Sequence, residues 1–195
     1  MGIAFAVLLL LQAGMADIPT LDTPIGRIQR FYANHGGNII VAQVISIFAS
    51  ILFLVFVWAL AGQLNPRTAP AITRLRISGV LVGMASIATA IPPALLALAS
   101  APSDATAHAL TRAADLTDVV LFTAIALFSL ELARDATIGW LKGGALAVAA
   151  LSVVRAVLGV AQVTALDIIA PLAFLALVLA VSIEVLRGRL NPAAA

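Results

Sequence analysis

The stretch Asn38-Ile-Ile-Val-Ala-Gln-Val-Ile-Ser-Ile-Phe-Ala-Ser-Ile-Leu-Phe-Leu-Val-Phe-Val-Trp-Ala-Leu-Ala-Gly-Gln-Leu64 contains no charged residue. A helix needs about 20 mostly apolar residues to cross the roughly 30 Å hydrocarbon core of a bilayer, and this run exceeds that. Similar charge-poor runs recur on both sides of it. Residues 2–16 form a short apolar run and 77–101 are uncharged, while 143–165 carry only Arg155 and 168–186 only Glu184. Residues 106–132 are long and apolar in their second half, with charges in the first half and Glu131 at the end. The pattern predicts an all-α fold: one polytopic transmembrane helix bundle over residues 1–195, with six spanning helices at 2–16, 38–64, 77–101, 106–132, 143–165 and 168–186.

Composition supports this reading. Of 195 residues, 63% are hydrophobic and 10% charged, whereas a soluble domain has about 45–50% apolar and roughly 25% charged residues. The surplus apolar surface has to face lipid. The net charge is +2, and no basic run with interleaved aromatics points to nucleic acid. The chain has no cysteine, which excludes disulfides, thiolate nucleophiles and Cys-ligated metals. The first run has the length of a signal-peptide core but no Lys or Arg before it, and Gly14-Met-Ala16 offers small residues at a cleavage-site spacing. A short first span, an anchor and a processed leader all remain open for it.

Lys and Arg concentrate in short cytoplasmic loops. Arg67, Arg74 and Arg76 follow the second run, Arg134 and Lys142 the fourth, and Arg187 and Arg189 the sixth. Asp104 and Asp167 occupy alternate loops, and the loop 17–37 mixes Arg27 and Arg30 with Asp17 and Asp22. This majority pattern predicts a cell (inner) membrane protein with both termini cytoplasmic. Trp58 and Trp140, near the inner side, suit aromatic anchors.

Within the loop 17–37, Thr23 is a candidate N-cap and Pro24 suits the first helical position. Ile25, Ile28, Phe31 and Tyr32 share one face, Arg27 and Arg30 the other, and Gly36–Gly37 should stop the helix. This predicts a short amphipathic helix over 24–35 lying on the outer surface. It is either a connector or a lid over a site below, with Arg27, Arg30, Phe31, Tyr32 and His35 as the lid residues. Gly79 and Gly83 form a GxxxG pair, and Ala145, Ala149 and Ser152 a weaker small-residue stripe; both serve packing within the bundle or a dimer seam. Pro92–Pro93 should kink or break the third helix, while Pro171 falls in the first turn of the sixth, where proline is tolerated.

The most informative segment is His108-Ala-Leu-Thr-Arg112-Ala-Ala-Asp115-Leu-Thr-Asp118. Taking Glu131 as the inner interface, Asp118 lies roughly 20 Å outward and Asp115 about 24 Å, at ~1.5 Å rise per residue. Arg155 lies equally far from Lys142 on the next, antiparallel helix, so the two arrive at one depth. A charge in the membrane costs at least ~2.5–3.5 kcal/mol on insertion scales, and arginine does not deprotonate. Arg155 should therefore pair with Asp118, with Asp115 as second partner. Arg112 can pair with Asp115, and Asp167 can join from the outer end of the sixth helix. Gln43, Gln162, Thr111 and Thr117 are candidates to complete the hydrogen bonding. Either this cluster is a structural ion-pair network that fixes register, or it lines an outward-opening cavity as a substrate or proton site.

His35 and His108 are the only histidines. Haem would need them on facing helices, and a metal would need more ligands, so no cofactor is expected. HExxH, Walker A, GxGxxG and GxSxG motifs are absent.

Tyr32-Ala-Asn-His35 running into a long apolar helix, and Ala114-Asp-Leu-Thr-Asp118 followed by an apolar run and Ile138-Gly-Trp-Leu141, resemble an uncharacterised group of Ala-rich bacterial membrane proteins that carry a domain of unknown function. The resemblance spans most of the chain. It implies a six-helix integral membrane fold and no particular activity. Three functions remain in competition. The first is a non-catalytic bundle, either lipid-binding or an accessory subunit of a larger membrane complex, with a homo-oligomer possible. The second is a small transporter or proton-coupled carrier using the Asp/Arg cluster. The third is a membrane-embedded acid–base enzyme on an apolar substrate.

Overall fold

The computed structural model describes residues 1–15, 19, 23–63, 69–99, 102–136, 138–161, 163 and 166–187. Asp17, Asp22, Arg67, Gln162 and Arg189 of the sequence argument lie outside them. Six helices occur in chain order: α1 (Gly2–Ala13), α2 (Ile25–Gln63), α3 (Ala69–Leu98), α4 (Asp104–Asp135), α5 (Gly139–Val160) and α6 (Ile169–Leu186). Among the described residues there is no strand. Apolar runs of this length favour helices in lipid because a helix satisfies its own backbone donors and acceptors. Five helices, α2 to α6, are long and apolar enough to cross a membrane, the architecture of a polytopic membrane protein. The expectation of six spans is revised at α1. It forms as a helix, but its 12 residues reach only about 18 Å at ~1.5 Å per residue.

A second correction concerns the separate surface helix expected over 24–35. That segment is helical, but it is the beginning of α2, which runs unbroken for 39 residues through Gly36–Gly37. Gly36 permits close approach rather than a stop: a Cβ on it would stand 3.1 Å from the Ala97 carbonyl oxygen at the end of α3, whereas one on Gly37 would meet nothing within 4 Å. Pro92 and Pro93 likewise do not break α3, which continues to Leu98 with both prolines buried. Pro171 is the third residue of α6, where its missing N–H has no intrahelical partner to lose.

Each helix packs on the next in sequence, and α6 returns to α1, closing a six-membered ring. Phenyl rings fill its centre. Phe53 of α2 lies 5.1 Å from Phe5 of α1, 5.5 Å from Phe128 of α4 and 5.7 Å from Phe174 of α6, centroid to centroid. Tilted and edge-to-face rings at such spacings are favourable beyond their area burial. On one side α2 and α3 meet at the GxxxG pair. A Cβ on Gly79 would collide with Val57, and one on Gly83 would sit 2.5 Å from a Leu54 methyl. The small stripe of α5 is also turned inward, since Ala145, Ala149 and Ser152 are all buried. Both small-residue faces therefore serve packing within the bundle.

Polar ties fix the vertical register. At one end Gln29 Nε2 donates to Asp104 Oδ1 at 2.9 Å, across 75 residues of sequence, beside the Ser103 side chain that caps α4 through the Thr106 N–H. Phe53 and Phe128 show the same offset in sequence, so α2 and α4 run parallel and in step. At the other end Arg74 Nε meets Glu131 Oε2 at 3.0 Å, Arg134 meets Glu131, and Arg76 lies over Trp58 at 5.3 Å. Trp58 and Trp140 are both exposed there. The helices are unequal. α2, α3 and α4 have 39, 30 and 32 residues, whereas α1, α5 and α6 have 12, 22 and 18. The ring is thus taller on one side than on the other.

Candidate functional site

A cavity of about 540 Å³ occupies the step between the tall and the short helices. Its walls follow helical periodicity. From α4 come Ala114, Asp118, Leu121 and Ile125, with Asp115 and Phe122 beside them; from α2, Gln43 and Ser46; from α3, Ser86, Thr89 and Pro93. These i, i+3, i+4, i+7 spacings put each set on one helix face. Leu9, Leu10 and Gln12 close it from the end of α1, and Pro19 adds to the lining beyond that end. α1 itself ends at Ala13.

The polar end is organised by Arg155. Its Nη2 donates to Asp118 Oδ2 at 2.7 Å, and its Nε lies 3.0 Å from Asp167 Oδ1. The first contact is an aligned hydrogen bond. In the second, charge attraction acts without an aligned N–H, since neither atom of that pair has a hydrogen-bond partner. The guanidinium also lies over the Phe122 ring, 5.3 Å from its centroid, a favourable cation–π position. Arg155 therefore links α4, α5 and the entry to α6. Its side chain is 13% exposed, those of Asp118 and Asp167 33% and 34%, so the carboxylates face the cavity and the arginine backs them. Asp115, one turn along α4, lines the same space and is half-buried.

Depth matching on the sequence put Arg155 and Asp118 at one level, with Asp167 able to join from the outer end of the sixth segment, and both carboxylates lie within ion-pairing distance of Arg155. Arg112 is exposed and is not part of the lining. The supporting polar groups differ from expectation. Thr111 and Thr117 hydroxyls donate to the Ala107 and Ala114 carbonyls of their own helix, as mid-helix threonines commonly do. Gln43 is 4% exposed, and its Nε2 has no acceptor among the described residues. Gln43 and Asp118 are offset by the same 75 residues as Gln29 and Asp104, so they stand at one level on facing walls.

The lid residues lie elsewhere. Arg27, Arg30, Phe31, Tyr32 and His35 are absent from the cavity lining. Tyr32 is buried with Ile28, Ile39, Leu96 and Ala107 in a second, smaller core between the tall ends of α2, α3 and α4. Phe31 stacks on His35 at 4.8 Å and packs against that core. Arg30 Nε donates to the Gly26 carbonyl, and Arg27 is exposed. The apolar stripe read as membrane-facing is thus turned onto protein. His35 and His108 are both exposed, and among the described residues no three His, Asp or Glu side chains are grouped to hold a metal.

Sequence reasoning missed Ser46, Ser86, Thr89 and the aromatic floor of Phe5, Phe122 and Phe174. Ser86 and Thr89 followed by Pro93 form a polar notch at i, i+3, i+7 in an otherwise apolar helix, a signal that was present. Ser50 shows why such hydroxyls are ambiguous: it donates to the Ser46 carbonyl and lies 2.8 Å from the Ser86 hydroxyl, tying α2 to α3. No protein-family model, curated protein sequence or solved structure matches the chain.

Proposed function

We propose that this protein is a non-catalytic membrane bundle that binds a small amphipathic molecule in the cavity beside α1. The observation that carries this reading is the two-ended lining: an apolar floor of Phe5, Phe122 and Phe174 below, and Asp115, Asp118, Arg155 and Asp167 at the rim. Small-molecule sites are concave, mostly apolar and of about 300–1,000 Å³, with a few converging polar groups; this cavity has that form. Arg74, Arg76, Arg134, Lys142 and Arg187 gather at the opposite end of the bundle, which favours that end as the cytoplasmic side. The cavity then faces the outer leaflet of the cell membrane, where a lipid-like molecule is at hand.

A second reading as a carrier is favoured by one feature. Arg155 bridges three helices through carboxylates that also face the ligand space, so an occupant that competes for those carboxylates would loosen α5 and α6 from α4.

The test is mass spectrometry of the full chain extracted in mild detergent, comparing wild type with Asp118→Asn and with Ala114→Phe, which fills the cavity. The expected result is a small molecule retained by wild type and lost from both variants while they stay folded. Stoichiometric protein partners carried by all three, with no bound molecule, would instead point to an accessory subunit with a structural cluster.

A further inference from the structure

The end of the bundle away from the cavity carries a cation of a different kind. Arg74 and Arg134 share Glu131, and Arg187 meets Glu184. Among the described residues, no carboxylate stands within ion-pairing distance of Arg76. Its guanidinium lies over the Trp58 indole, 5.3 Å from the ring centroid, and its Nε is enclosed without a hydrogen-bond partner. A surface arginine keeps its head in water; this one is drawn back onto a ring that is itself half exposed. The stacking is favourable, and an exposed tryptophan at a helix end marks the headgroup depth of a bilayer. With Nε enclosed, the two terminal nitrogens are left to bind a partner.

The surface beside this pair is apolar. α2 and α3 approach closely at Gly79 and Gly83, where a Cβ would meet Val57 and Leu54. Along one flank of that crossing run Trp58, Leu54 and Ile51 of α2 and Arg76, Val80 and Ile87 of α3, each set at helical spacing. Trp58 and Ile51 are exposed, and Leu54, Val80 and Ile87 half-buried. They form a shallow apolar seam that begins at a guanidinium.

We infer that this seam is a docking site for one anionic phospholipid, with its phosphate on the terminal nitrogens of Arg76 and an acyl chain along the crossing of α2 and α3. Arginine's planar fork matches phosphate oxygens. The end proposed above as cytoplasmic faces a leaflet that supplies anionic headgroups. A zwitterionic choline head would bring an ammonium against the same guanidinium. Arg74 and Arg134 outnumber the one carboxylate they share, which adds positive field at that end. The seam is a different surface from the cavity and shares with the reading above only the orientation.

The test is quenching of Trp58 by brominated lipid in dodecyl maltoside micelles, with the full chain carrying Trp140→Phe so that Trp58 is its one tryptophan. Dibromostearoyl phosphatidylglycerol should half-quench at about a fivefold lower mole fraction than dibromostearoyl phosphatidylcholine, the scale of one basic residue beside an anionic headgroup. Arg76→Gln should remove that preference. Arg27→Gln, which removes the same charge near the far end of α2, should leave it intact. Equal quenching by the two lipids overturns the inference, and so does a preference that Arg76→Gln leaves in place or that Arg27→Gln also abolishes. Inorganic phosphate that displaces the phosphatidylglycerol, at an ionic strength where chloride does not, makes free phosphate the ligand and overturns the lipid assignment. The comparison of the two lipids needs no change at Arg76, so it decides the matter even where Arg76→Gln fails to fold.

Discussion

Replacing Arg155 by methionine removes the one guanidinium that two carboxylates share. Asp118 Oδ2 then loses a 2.7 Å hydrogen bond and Asp167 a counter-charge at 3.0 Å, and the two acids face each other across the space it leaves. Breaking a fully buried ion pair costs about 3–5 kcal/mol. Here the two carboxylates are each about a third exposed, and solvent screens part of that cost, so we expect about 2–3 kcal/mol. Arg155→Lys keeps the charge, but a point-like ammonium lacks the fork that reaches Asp118 from Nη2 and Asp167 from Nε together; roughly 1 kcal/mol should be lost. The assay is reversible unfolding by sodium dodecyl sulfate in mixed micelles, followed by the fluorescence of Trp58 and Trp140. A double-mutant cycle with Asp118→Asn should give a coupling energy of about 1–3 kcal/mol. Additive single effects, or an Arg155→Met chain within about 0.5 kcal/mol of wild type, would refute the view that this arginine ties α5 to its neighbours.

The remaining predictions use the same unfolding assay. Gly83→Leu should destabilise by about 1–3 kcal/mol through overpacking against Leu54, whereas Gly143→Leu, where a Cβ meets nothing within 4 Å, should be close to neutral. Phe53→Ala should cost about 3–5 kcal/mol, because its ring contacts Phe5, Phe56, Phe128 and Phe174 at once. Asp104→Asn should cost no more than about 1 kcal/mol, since its bond to Gln29 is exposed.

The helices were legible because their cause is local: a long uncharged run in lipid has one way to satisfy its backbone. Depth was legible too, since helical rise is constant, and counting from Glu131 and Lys142 placed Asp118 beside Arg155. What failed were two inferences at the start of α2 that needed to know what lies next to that segment. Gly36–Gly37 reads as a stop in isolation; in the bundle the helix runs on through both, and Gly36 is a place of close approach to the Ala97 carbonyl. Ile28 and Tyr32 read as an apolar stripe for a membrane surface, but the ends of α3 and α4 cover it. Gln43 is an unremarkable polar residue in an apolar run until its level against Asp118 is known.

Helix length is what joins these observations. α2 and α4 stay in step from the Gln29–Asp104 tie to the Phe53–Phe128 contact, so any residue on one has a fixed counterpart on the other. α1 starts at the Phe56 and Ser182 level, as Gly2 shows by leaving no room for a Cβ against either, and meets Phe53 and Phe174 through Phe5. Being only 12 residues long, it cannot follow α2 up to the Gln29 tie. α6 likewise begins just past Asp167 rather than at the far end of α4. The charged residues therefore cluster where the short helices end beside the tall ones. A bundle of six equal helices would have buried Asp118 and Arg155 against apolar neighbours with no space between them. Unequal helices give the same pair a wall of its own, an aromatic floor and an opening, and that is the physical reason to read the cluster as a binding site rather than only as a clamp.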